Sequence, residues 1–82
     1  MSNLSFAVNY TKTKATSPNN AIEYEKCFLT LSAALNFCIE LIESGGEVLY
    51  IIQFIRGTQD AIFEGDQLHA ALDLQRARLV VP

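Results

Sequence analysis

The chain has few of the residues that usually staple a small domain or carry chemistry. Its 82 residues include two cysteines, one histidine and no tryptophan, and only 18% of them are charged. Cys27 and Cys38 lack the Cys-x-x-Cys spacing of zinc and redox sites, and one pair cannot build the disulfide framework of a small secreted domain. One histidine and scattered carboxylates match no common metal-binding pattern. We therefore expect no metal and no cofactor.

Long apolar runs and strong charge are also missing. The longest unbroken apolar run, Val48 to Ile52, is much shorter than the ~20 residues of a membrane-spanning helix. Met1 to Leu4 contain no basic segment leading into an apolar run, so we expect no secretory signal. Six basic residues against nine acidic ones give a net charge of −3, which disfavours broad binding to phosphate backbones. These absences predict a cytoplasmic protein with reduced thiols and no membrane contact.

Apolar residues make up 50% of the chain, which is enough to form a core. Chains below about 100 residues rarely form two cores, so we expect one domain over residues 1–82. A domain this small buries only about 60–65% of the surface of its unfolded chain. Since disulfides and metals are not indicated, association with a second copy or with another protein is the remaining source of stability.

One pattern of elements occurs twice. A strand-like stretch, a polar break, a short strand and an Ala-Ala-Leu helix are followed by the same series. The landmarks are Phe6–Tyr10, Ala21–Tyr24 and Ala33–Leu35, then Val48–Ile55, Ala61–Glu64 and Ala70–Leu72. This order predicts an α+β fold with a four-stranded, mainly antiparallel sheet and two helices in ββαββα order, the first helix crossing one face. It also suggests an internal ββα pseudo-repeat.

The strands are predicted from alternation and from apolar runs. Apolar residues at every second position from Leu4 to Tyr10 predict a strand with one buried face. Residues 22–28 predict a second strand, in which a lysine indicates an edge position. Val48 to Ile55 is almost continuously apolar, which predicts a central strand covered on both faces. Residues 56–60 are predicted as a hairpin connection and residues 61–63 as a short return strand.

The helices are predicted from caps and from helical spacing. Thr30 is a suitable N-cap for the first helix, whose apolar arc is unusually wide, and Gly45-Gly46 should end it. Asp66 is predicted as the N-cap of the second helix. Leu79 is predicted on the apolar face of that helix. Leu79 to Pro82 form an apolar stub that either packs on the core or meets a partner.

No residue pattern indicates catalysis. His69 and Asp73, four residues apart on the second helix, could orient an imidazole as a general base, but no nucleophile accompanies them. We favour the simpler interpretation, a weak side-chain pair on a solvated helix face. Cys27 and Cys38 occupy structural positions and are predicted to be buried and unreactive. We therefore expect a protein without enzymatic activity.

The leading hypothesis is a small cytoplasmic interaction or assembly module that acts as a homodimer or through a protein partner. Its basis is apolar surface in excess of what one small core can cover. The residues that we predict at the interface are Leu49, Ile51, Ile55, Leu79, Val80 and Val81.

Two alternatives remain open at this point. A regulator associated with nucleic acid could use an aromatic residue beside basic ones to stack a base and hold a phosphate. The residues predicted for that role are Tyr10, Lys12, Lys14 and Arg56. A small acidic inhibitor of the kind that mobile elements encode also fits the length and the charge.

Overall fold

The computed structural model describes residues 3–12 and 22–79, which form one four-stranded sheet and two helices. All strand pairs are antiparallel, and the strands lie side by side in the order β2-β1-β3-β4. Neither helix of this part of the chain is long and apolar enough to cross a membrane. The predicted α+β fold with ββαββα order is confirmed. The elements are β1 (Leu4–Thr11), β2 (Tyr24–Phe28), α1 (Leu31–Glu43), β3 (Glu47–Ile55), β4 (Thr58–Phe63) and α2 (Gly65–Leu79).

The two ββα units face each other across the middle of the sheet. β1 and β3 are the inner strands, with Val8 opposite Ile51, and each has its following strand on its outer side. Exchanging the two units reproduces this strand order, as a two-fold axis between β1 and β3 would. The topology is therefore consistent with the pseudo-repeat suggested by the sequence.

Both helices pack on one face of the sheet. The alternation predicted for β1 is confirmed, because every second residue of that strand lies under the helices while the intervening residues point away. Val8 and Ile51, at the centre of this face, have no exposed surface. The core consists of Phe6, Val8, Tyr10 and Ile51 from the sheet, Ala34, Leu35, Cys38 and Ile39 from α1, and Leu68 and Leu72 from α2.

The wide apolar arc of α1 is covered within the monomer. The Phe37 ring meets the Tyr10 ring edge-on at 5.0 Å between centroids and lies 5.3 Å from the Phe28 ring. Tyr10 also stacks on Tyr24 of β2 at 5.6 Å. These aromatic contacts join α1 to β1 and β2, so this arc does not need a partner.

Both ends of α1 are capped as the sequence predicts. The Ala33 amide donates a hydrogen bond to Thr30 Oγ1 over 3.1 Å, which satisfies a free amide of the first turn. At the other end, Gly45 has a φ of 95° and the Gly46 amide donates to the Leu41 carbonyl over 2.8 Å. This Schellman arrangement turns the chain sharply into β3.

The β3–β4 connection is tighter than predicted. Arg56 and Gly57 have φ values of 52° and 79°, and they form a two-residue turn between the paired residues Ile55 and Thr58. This conformation suits the right-handed twist of a hairpin. The prediction that residues 56–60 are all connection is therefore wrong, and β4 is longer than expected. Asp60 is the extra residue of a bulge in β4.

Substituting alanine for Gly46 should destabilise the fold by about 1–3 kcal/mol through overpacking. A Cβ at this position would lie 2.8 Å from the carbonyl oxygen of Thr11, a backbone atom of β1. Gly57→Asn is the matched control, because its Cβ would meet nothing within 4 Å and asparagine tolerates a positive φ. Urea unfolding should show a lower midpoint for Gly46→Ala alone. Equal midpoints for both variants would contradict this packing.

α2 begins two residues earlier than an N-cap at Asp66 predicts, and it docks on α1 through a polar contact. It starts at Gly65, so Asp66 lies in the first turn and is not the N-cap. Gln75 is buried, and its Nε2 donates to Ser32 Oγ over 3.0 Å and to Asn36 Oδ1 over 2.9 Å. The expected apolar face of α2 is thus partly polar. Leu79, predicted on that face, is 55% exposed.

Candidate protein interface

The face of the sheet opposite the helices carries an apolar row across all four strands. Ala7 of β1 lies opposite Cys27 of β2 on one side and Ile52 of β3 on the other. Ile52 in turn lies opposite Ile62 of β4. Residues that pair directly point to the same side of a sheet, so the four side chains share this face.

Two aromatic residues flank that row. Tyr50 pairs with Asn9, and Phe54 pairs with Ser5, so both rings lie on the same side as Ile52. Within the described residues, no helix packs against this side, because both helices contact the opposite one. We call this surface the open face and define it by Ala7, Cys27, Tyr50, Ile52, Phe54 and Ile62.

The structure corrects the prediction that β3 is covered on both faces. β3 is an inner strand, as expected, but Tyr50, Ile52 and Phe54 are only half-buried, whereas Ile51 is fully buried. A continuous apolar run fits two covered faces, and it fits equally well one covered face and one apolar face left open. Within the described residues, the apolar surface that the helices do not cover is therefore on the sheet. Ala7, at the middle of that surface, is itself buried, with only 1% of its area exposed.

The open face contains no charged side chain among the six residues that define it. The charged residue closest to the middle of the open face is Glu25 of the edge strand β2, which pairs with Asn9 of β1. Charged residues of the described chain lie mostly on the helices, in turns and at the strand ends. This distribution leaves the middle of the sheet apolar and uncharged.

The two edges of the sheet, in contrast, are poorly suited to pairing with another strand. β2 is five residues long and exposes Glu25 and Lys26. β4 is interrupted by the bulge at Asp60, whose Oδ2 accepts a hydrogen bond from Gln53 Nε2 over 3.0 Å. Short strands, charges and bulges all discourage edge-to-edge association. Contact with another protein is therefore more favourable through the face than through the edges.

The interface residues predicted from the sequence do not form one surface. Ile51 lies in the core with no exposed area, and this prediction is corrected because its side chain points under the helices. Leu49 lines a cleft beside α2, Ile55 ends β3 with 38% of its surface exposed, and Leu79 ends α2. Val80 and Val81 lie outside the described residues. Each of the three predicted β3 residues lies one position along the strand from a residue of the open face.

The residues predicted to bind nucleic acid are also separated. Tyr10 is only 9% exposed and belongs to the core, so its ring is not available to stack on a base. Lys12 follows the end of β1, where its Nζ lies 4.7 Å from the centroid of the Tyr24 ring. Arg56 lies at the opposite end, where its amide donates to the Asn3 carbonyl. The length of β1 separates the two ends by about 25–30 Å. Lys14 lies outside the described residues.

His69 and Asp73 do not form a catalytic pair. His69 is exposed at the rim of a mainly apolar cleft of about 420 Å³ between the end of α1 and the start of α2. The Asp73 carboxylate lies 3.7 Å from Arg76 Nη1, and no hydrogen bond joins it to His69 in the described part of the chain. The described residues also contain no group of three or more side chains that could hold a metal ion.

The two thiols differ, which corrects the prediction that both are buried. Cys38 is fully buried under the sheet, and this burial raises the pKa of its thiol to about 12. Cys27 is exposed, since it lies in the edge strand β2 and points to the open face. The apolar residues of β2, Tyr24 and Phe28, lie under the helices, and Cys27 lies on the other side of the strand together with Glu25.

A thiol reagent should therefore modify one cysteine rapidly in the native protein. At pH 8, Cys38 stays protonated and enclosed, while Cys27 is accessible, so we expect one equivalent to react before unfolding and two after it. Titration with a chromogenic disulfide such as 5,5′-dithiobis(2-nitrobenzoic acid) measures both equivalents. Cys27→Ala should abolish the rapid phase, and Cys38→Ala should leave it unchanged. Rapid reaction of both thiols would contradict the packing of α1.

Comparisons with known proteins found no similar protein. No protein-family model matches this chain, and neither a curated protein nor a solved structure matches it.

Proposed function

We propose that this chain is a small non-enzymatic interaction module that binds protein through the open face. The observation that supports this proposal most strongly is the apolar row of Cys27, Ala7, Ile52 and Ile62, which crosses the sheet without cover from the described helices. A sheet with one apolar face normally buries it against a second layer. Here the two helices form that layer on one face, and a partner would form the layer on the open face.

The energetic gain favours a partner that is itself apolar. Burying apolar surface contributes about 25 cal/mol per Å², and Tyr50, Ile52, Phe54 and Ile62 each retain exposed area. A charged partner surface would lose hydration against this face without gaining an opposite charge. A cytoplasmic location is part of the proposal, because a reducing compartment keeps an exposed thiol such as Cys27 free.

Site-specific photo-crosslinking tests this function. A benzophenone derivative of phenylalanine placed at position 54, in the cell that produces the chain, should yield a discrete adduct with a protein. The same group at position 74 is the matched control, because Leu74 is 57% exposed on α2, away from the open face. No adduct at position 54, or the same adducts at both positions, would refute the proposal.

A further inference from the structure

We propose that the occupant of the open face is a second copy of this chain, packed sheet to sheet about a two-fold axis. This inference rests on the proposed function and adds the identity of the partner. The axis runs along the strands, between β1 and β3, in the plane where the two sheets meet. Each β1 then lies over the β3 of the other copy, and each β2 lies over the other β4.

Side-chain size on the open face supports this axis. The β1 residues on this side, Ser5, Ala7 and Asn9, are small, whereas those of β3, Tyr50, Ile52 and Phe54, are large. The open face therefore has small side chains on its β1 half and large side chains on its β3 half. Rotation about the proposed axis places the half with small side chains of one copy against the half with large side chains of the other. Inner faces of packed sheets interdigitate in this way.

The charge distribution is compatible with a second copy. Two copies each carry a net charge of −3, so they would repel through any strongly charged surface. The open face avoids this repulsion, since its six residues are uncharged and the like charges stay hydrated elsewhere. In a two-fold interface each residue near the axis lies close to its own equivalent, which requires apolar groups such as Ala7 and Ile52 there.

The available area suits a reversible dimer. Four strands about 4.8 Å apart and about 20–25 Å long give a flat footprint of about 450 Å² per copy. Accessible area exceeds a flat footprint, so two copies bury about 1,000–1,200 Å², the lower limit for a specific interface. Interfaces at this lower limit are commonly weak and transient, so we expect a dissociation constant in the micromolar range.

Sedimentation velocity from about 10 µM to about 1 mM covers that range of dissociation constants and should show a monomer converting to a dimer. Ile52→Lys should weaken the dimer at least about 100-fold, because it buries an unpaired ammonium group at the centre. Leu74→Lys, the control on α2, should dimerise like the wild type. A chain that stays monomeric, or a dimer that survives Ile52→Lys, would overturn the inference. If the monomer still gave a photo-adduct with a different protein at position 54, the proposed function would stand alone.

A designed disulfide tests the axis itself. The proposed packing places Cys27 of one copy over Ile62 of the other, so Ile62→Cys should form an intermolecular disulfide rapidly when diamide accepts the two electrons and two protons of the thiols. Wild-type Cys27 should cross-link much more slowly, because Cys27 and its own equivalent are displaced by three strand spacings, about 14 Å along the sheet, in addition to the distance of about 10 Å between the sheets. Leu74→Cys is the control for random collision. Equal rates for Ile62→Cys and Leu74→Cys, or rapid cross-linking of the wild type, would overturn this axis.

Discussion

Aspartate at position 51 should leave the chain unfolded, whereas aspartate at position 52 should leave it folded. Ile51 has no exposed surface and lies opposite Val8 beneath the helices. An unpaired carboxylate there costs several kcal/mol, which is comparable with the whole stability of a domain of this size, about 5 kcal/mol. Ile52 is the next residue and points to the open face, where a carboxylate stays hydrated in the monomer.

Circular dichroism and urea unfolding of the two variants give the readout. We expect Ile51→Asp to show the spectrum of an unfolded chain and Ile52→Asp to retain the native spectrum and a cooperative transition. Ile51→Val and Ile52→Val are matched controls that keep an apolar side chain at each position. If both aspartate variants unfolded, the open face would be covered within the monomer. If neither unfolded, the assignment of the two faces of β3 would be wrong.

Replacing Tyr10 with alanine should destabilise the fold by about 3–5 kcal/mol, as expected for a large buried aromatic side chain. The Tyr10 ring contacts the rings of Tyr24 and Phe37, so its removal would separate β1 and β2 from α1. Tyr10→Phe keeps the ring and should retain most of the stability. Lys12→Ala, on the exposed neighbour, should change the free energy of unfolding by less than about 1 kcal/mol.

Thermal and urea unfolding of these three variants distinguish a core residue from a surface contact. If Tyr10 served mainly to stack on a base, Tyr10→Ala would remain nearly as stable as the wild type. That result would restore nucleic-acid binding as a candidate function. A large loss of stability limited to Tyr10→Ala would support the core position.

The order of elements was predictable because local signals agree with one another. Alternation from Leu4 to Tyr10 identified the buried side of β1, and Thr30 and the glycines at positions 45 and 46 marked the ends of α1. These signals depend on backbone conformation and on nearest neighbours in the sequence. The order of the strands in the sheet is not contained in these local signals, and it shows how the two ββα units meet.

The interface could not be read from the sequence, because β3 has no alternation. In a strand with apolar residues on both sides, only the partner strands and the helices decide which side is covered. The predicted residues Leu49, Ile51 and Ile55 and the open-face residues Tyr50, Ile52 and Phe54 are interleaved, and a shift of one residue exchanges the two faces. Knowing the β1–β3 register, which pairs Val8 with Ile51 and Ala7 with Ile52, would have resolved the choice.

The polar contact between the helices was missed for a similar reason. Gln75 follows Leu68 and Leu72 at helical spacing, but glutamine is mostly an exposed residue in proteins. Ser32 and Asn36, which are far away in the sequence, turn this position into a buried one. A glutamine in line with apolar helix positions is the only signal that the sequence offers for such a contact.

Methyl NMR of the isoleucine side chains tests the central claim most directly, because adjacent isoleucines report on opposite faces of one strand. On dilution from about 1 mM to about 10 µM, a range that spans a micromolar dissociation constant, the δ1-methyl signals of Ile52 and Ile62 should shift. Those of Ile39 and Ile51, which are 5% and 0% exposed in the core, should not. Shifts confined to Ile52 and Ile62 are the result that we predict. Signals that do not depend on concentration, or shifts that leave both open-face isoleucines unchanged, would contradict association through the open face.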